Sequence, residues 1–65
     1  MLKAAVIGVG SIGQNHARVY REMEGIQLVG VADQSVQNAT KVGNRLNVPF
    51  YTEWEKLLEE QKPDL

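Results

Sequence analysis

The sequence predicts an α/β domain, a parallel sheet whose strands alternate with helices. Three observations carry this. Two short runs, Ala4–Ile7 and Ile26–Val31, are nearly all apolar, as strands of a parallel sheet covered on both faces are. The segments that follow them are apolar at helical spacing. A glycine-rich hexapeptide, Gly8-Val9-Gly10-Ser11-Ile12-Gly13, joins the first run to the first helix. The order strand, helix, strand, helix, short strand, helix implies right-handed crossovers.

The first strand is expected over Ala4–Ile7. From Ser11 onward, Ile12, His16, Val19, Tyr20 and Met23 recur at steps of four, three, one and three, one face of a helix. Gly25 is the expected C-terminal cap. The second strand carries Ile26, Leu28, Val29 and Val31 and ends at Asp33. Ser35 is the expected N-cap of the second helix. Its apolar stripe is Val36, Ala39, Val42 (or Gly43) and Leu46, and Asn47 and Pro49 stop it. Val48–Tyr51 is a third, very short strand. Thr52 and Glu55 fit a capping box for a last helix with Trp54, Leu57 and Leu58 inward, broken by Pro63. Asp64-Leu65 reads as the approach to a fourth strand. Residues 1–65 therefore read as the N-terminal half of a dinucleotide-binding domain, a fragment ending as that fourth strand begins. On this reading the outer side of the first strand is unpaired, and a chain of 65 residues has a marginal core.

A bare G-x-G-x-x-G is a weak signal. Here a strand precedes it, an amphipathic helix follows it, and an acid ends the next strand, 20 residues after Gly13. Together these make a dinucleotide fingerprint of the Rossmann type. Gly8 permits the tight turn, Gly10 lets a pyrophosphate approach the backbone, and Gly13 lets the helix pack closely on the strand. The N–H groups of Ser11 and Ile12 open the helix, where the dipole favours negative charge. Asp33, followed by Gln34, is expected on the ribose. A carboxylate there repels a 2′-phosphate and no basic residue follows at once, so NAD is favoured, with NADP as the alternative. The plainer reading is a glycine turn joining strand to helix, with Asp33 a solvated strand end. Ser35 reads as an N-cap before a phosphate ligand, and His16 as a packed helix histidine before a general base. Trp54 reads as a core anchor before a stacking platform, and the charges of the last helix as a solvated face.

Composition narrows the classes further. With seven basic and eight acidic residues the net charge is −1, which gives no footing for nucleic acid or a membrane surface. There is no cysteine, hence no disulfide framework, thiolate zinc site or cysteine nucleophile. The apolar N-terminal segment is too short to span a bilayer and lacks the layout of a signal peptide, so a cytoplasmic location is expected. No metal set and no catalytic residue is assigned.

The run Ala5-Val6-Ile7-Gly8-Val9-Gly10-Ser11-Ile12-Gly13-Gln14-Asn15-His16-Ala17-Arg18 resembles the start of the Gfo/Idh/MocA oxidoreductase family, as does Leu28-Val29-Gly30-Val31-Ala32-Asp33. Val48–Leu58 looks like that family's third strand and following helix, and Pro63-Asp64-Leu65 like the entry to its fourth strand. The resemblance implies a two-domain NAD- or NADP-dependent dehydrogenase several times this length, acting on sugars, sugar nucleotides, inositols or related polyols. It places the catalytic lysine, in a Glu-Lys-Pro motif, and the substrate domain beyond the residues present here. It leaves homo-oligomer formation open. Another Rossmann dehydrogenase and a non-catalytic NAD-sensing module are the alternatives.

Overall fold

A computed structural model describes the backbone of all 65 residues and the side chains of all but Ser11 and Ile12. Six elements follow in order: β1 (Leu2–Ile7), α1 (Ser11–Glu22), β2 (Ile26–Ala32), α2 (Val36–Leu46), β3 (Phe50–Tyr51) and α3 (Trp54–Gln61). The strands form one parallel sheet in the order β1-β2-β3, a partial α/β sheet of the predicted kind. Among the described residues no helix is long and apolar enough to cross a membrane.

The sheet register contains a feature the sequence does not announce. Ala4 pairs with Leu28 but Ala5 pairs with Gly30, so Val29 is skipped. One extra residue reverses the in–out alternation of a strand. Leu28 and Val31, three apart, therefore point to the same face. There they meet Val6, Val9, Ala17 and Val42 in the core cluster beneath α1 and α2, with Tyr20, Leu46 and Val48 packed around it. Gly30 faces the other way, against the Leu57 side chain of α3. Leu57 is fully buried, a burial that stabilises the sheet–helix contact by about 1.5–3 kcal/mol.

The caps are mixed. Ser35 caps α2 as expected, its Oγ accepting from the Asn38 N–H at 3.3 Å. Asn47 closes α2 in the left-handed conformation, φ 56°. Gly25 is not the cap of α1: the helix stops at Glu22, Met23 caps it, and Gly25 takes its positive φ of 78° two residues later, in the turn into β2. Thr52 is not the cap of α3 either. Glu53 holds that place and makes no side-chain cap bond.

The inward faces also need correction. Among the described residues of α1 the fully buried one is Ala17, with Tyr20 partly buried against the core, while His16, Val19 and Met23 are exposed. In α2, Ala39, Val42 and Gly43 are buried as expected, but Val36 is exposed. In α3 only Leu57 is buried, and Trp54 and Leu58 are exposed. Ile7, expected within a buried strand, is 52% exposed. It pairs with Ala32 on the face away from α1 and α2, at the open carboxyl end of the sheet.

The outer side of β1 is not bare along its whole length. Leu65 N–H and Asp64 N–H donate to the Lys3 carbonyl at 3.1 and 2.7 Å, and Ala5 N–H donates to the Leu65 carbonyl at 3.1 Å. The Asp64 carboxylate also accepts from the Lys3 N–H at 2.8 Å. The approach to a fourth strand thus docks beside β1, opposite β2.

Among the glycines, Gly13 makes the closest approach to its surroundings: a Cβ there would collide with the Gly8 carbonyl oxygen, whereas one on Gly10 meets no described atom within 4 Å. Gly13→Ala is therefore expected to destabilise by about 3 kcal/mol, lowering Tm by ~10 °C or more in a chain of this size. Gly10→Ala should leave Tm within a few degrees. Thermal circular dichroism of the two variants checks this, and equal melting temperatures would contradict it.

Candidate functional site

Three strand ends converge on one cleft. β1 hands over to Ile7-Gly8, β2 to Ala32-Asp33-Gln34, and β3 to Thr52 and Trp54. These residues line an open space of about 300 Å³. Its position, outside the carboxyl ends of parallel strands, is where open α/β sheets take their ligands. Backbone bonds fix the neighbours: Gly8 N–H donates to the Ala32 carbonyl at 2.7 Å, and Asp33 N–H to the Tyr51 carbonyl at 3.0 Å.

The glycine loop turns out of β1 at Gly8, whose φ of +87° suits only a residue without a side chain. Val9, between two glycines, is fully buried in the core and anchors the loop from below. Gly10 is the N-cap of α1 with φ −71° and ψ −156°, a conformation any residue adopts. Among the described residues, no atom beyond its chain neighbours lies within 4 Å of where its Cβ would be. Neither the backbone geometry nor the described packing around it asks for glycine at this position.

Ser11 and Ile12 open α1, and their side chains lie outside the described residues. Among the described residues no side chain caps the start of α1, and its first turn contains no acid. The first-turn N–H groups of a helix lack partners within it, and with the helix dipole they favour an anion. Among the described residues nothing negative competes for this place.

Asp33 sits half-buried just past β2. Its Oδ2 accepts from the Val9 N–H at 2.9 Å and its Oδ1 from the Ser35 N–H at 2.8 Å. The carboxylate thus clasps the glycine loop to the start of α2. A carboxylate offers about four acceptor positions, so two remain for a diol. Gln34 is exposed at the rim of the cleft.

The structure brings Gly8, Asp33 and Gln34 to one cleft with the start of α1 beside it. His16 is exposed on α1 and is not among the residues lining the cleft. Sequence reasoning missed Ile7, Thr52 and Trp54 at the cleft and Val9 beneath it. The signal for Val9 was present, an apolar residue flanked by glycines. None marked Trp54, whose spacing from Leu57 also fits a core helix. A second groove of about 220 Å³ runs between α1 and α2, bordered by Arg18 and Arg45; there Arg45 Nη1 donates to Gln14 Oε1 at 3.1 Å.

A protein-family model matches residues 2–65, described as the oxidoreductase family Gfo/Idh/MocA with an NAD-binding Rossmann fold. No curated protein and no solved structure gives a significant match. The family match spans nearly the whole chain, and its fold is the one built here around the glycine loop: the chain belongs to the Gfo/Idh/MocA oxidoreductase family, as its NAD-binding Rossmann domain.

Proposed function

We propose that residues 1–65 form the adenosine and pyrophosphate side of the cofactor site in a dehydrogenase acting on sugars, sugar nucleotides, inositols or related polyols. One observation carries the cofactor part. The open space over Gly10, the uncapped start of α1 and the Asp33 carboxylate lie together at the carboxyl end of the sheet. The substrate class rests on the resemblance of residues 5–18 and 28–33 to the family. On this reading the catalytic groups and a substrate domain belong to a longer chain, and the protein is cytoplasmic.

The residues divide the work. The backbone of Gly10, Ser11, Ile12 and Gly13 receives the pyrophosphate, with Gly8 and Val9 holding the loop in shape. Asp33 accepts from the ribose hydroxyls through its two remaining acceptor positions, beside Gln34. Bound NAD supplies hydride transfer to or from a sugar carbon, and the protein contributes position and electrostatics. The same Asp33 charge opposes a 2′-phosphate, which makes NAD the preferred cofactor.

Calorimetric titration tests the cofactor assignment. NAD(H) should bind more tightly than NADP(H). Asp33→Ala should lower NAD affinity about tenfold to a hundredfold, the loss of hydrogen bonds to a charged group, and narrow the gap between the two cofactors. Equal or tighter NADP(H) binding by the unaltered protein contradicts the assignment.

Gly10→Val tests the loop. The variant should keep its fold, because the added side chain enters open space, and lose cofactor binding by filling the place of the pyrophosphate. A folded Gly10→Val protein with undiminished affinity would show that the phosphates lie elsewhere.

A further inference from the structure

Trp54 is the first residue of α3, 46% exposed, at the border of the cleft that Asp33 and Gln34 also line. Packing in the core does not account for it. Leu57, three residues on, anchors α3 against Gly30 on its own. We infer that the Trp54 indole is the platform on which the purine base of the bound dinucleotide stacks, and so the residue that selects an aromatic base at this end of the site. The inference rests on the cofactor reading above.

The sheet order β1-β2-β3 sets three loops in a row. Neighbouring strands lie about 4.8 Å apart, so the row of strand ends is roughly 10 Å long. The first loop offers backbone N–H groups and the start of α1, which suits phosphate. The second offers the Asp33 carboxylate, which suits hydroxyls. A nucleotide laid along the row with phosphate on the first loop and ribose on the second carries its base onto the third. That loop presents Thr52 and the Trp54 ring. The cleft, at about 300 Å³, is at the small end of the ~300–1,000 Å³ range of ligand sites, the size for one nucleoside rather than a whole dinucleotide. Ile7, 52% exposed, borders the same space from the β1 end. At the third loop the base is held by stacking on Trp54, which requires no particular hydrogen-bonding pattern of the base.

Trp54 is the chain's sole tryptophan, so its fluorescence reports directly on this contact. The probes are ADP-ribose, which carries the base, both riboses and the phosphates, and nicotinamide mononucleotide, which lacks the purine. ADP-ribose should quench Trp54 emission with the same midpoint as its calorimetric heat, and nicotinamide mononucleotide should not. Trp54→Ala should weaken ADP-ribose binding roughly 5- to 150-fold, the span of base–aromatic stacking losses, while Trp54→Phe retains most of the affinity. Heat of binding with unchanged emission, or equal affinity in Trp54→Ala, overturns the stacking role and leaves the cofactor reading standing. Absence of any heat with ADP-ribose overturns both. Should Trp54→Ala fail to fold, the emission of the unaltered protein and the Phe variant still decide the matter.

Discussion

The hydrogen bond from the Val9 N–H to Asp33 Oδ2 is the link on which the rest of the site depends. It joins residues 24 apart in sequence, and it joins the ligand-facing loop of one strand to the end of the next. Two other constraints act on the same loop. The Val9 side chain is buried in the core beneath it, and Gly13 presses α1 against the Gly8 carbonyl. The loop is thus held from below, from the side and from the neighbouring strand. Among the described residues no side chain caps the start of α1. A site fixed in this way loses little freedom when a ligand arrives. Because the acceptor is a carboxylate, the clasp is a charge-assisted bond, stronger than an amide–carbonyl one.

Much of this was legible in the sequence, and the legible parts share a cause. The order of elements, the glycine loop, Asp33 at the end of β2, the Ser35 cap and the Asn47 stop all follow from local chemistry. A chain must turn, a helix must be capped, and a glycine at positive φ announces itself. What the sequence hid depends on how elements meet. Periodicity put His16, Val19 and Met23 on the inner face of α1, yet Ala17 is the residue beneath the helix. A hydrophobic stripe gives a face of the helix but not how deeply each of its positions is buried, and here Ala17 enters the core cluster with Tyr20 packed against it. The skipped Val29 is another such case. No residue type marks it, but without it Leu28 and Val31 would point to opposite faces and the core beneath α1 and α2 would lose one of them.

Trp54 shows the same limit on the functional side. At i and i+3, Trp54 and Leu57 read as one apolar stripe. The sheet ends beneath the first turn of α3, so Leu57 meets Gly30 while Trp54 overhangs the cleft. A residue that sequence pattern assigns to the core therefore borders the cleft instead. Ile7 at the end of β1 and Thr52 and Trp54 after β3 border the same cleft at the carboxyl edge of the sheet.

On the proposed function, the loops after β1, β2 and β3 form one continuous binding line for the adenosine and pyrophosphate of a dinucleotide. Amide chemical-shift mapping of the isotope-labelled chain on titration with ADP-ribose tests it residue by residue. A single saturable process is expected to move the backbone amides of Gly8–Gly13, Asp33–Ser35 and Thr52–Trp54 together. Shifts clustered instead on the groove bordered by Arg18 and Arg45, with the amides of Val9, Gly10 and Asp33 unmoved at saturation, would contradict it.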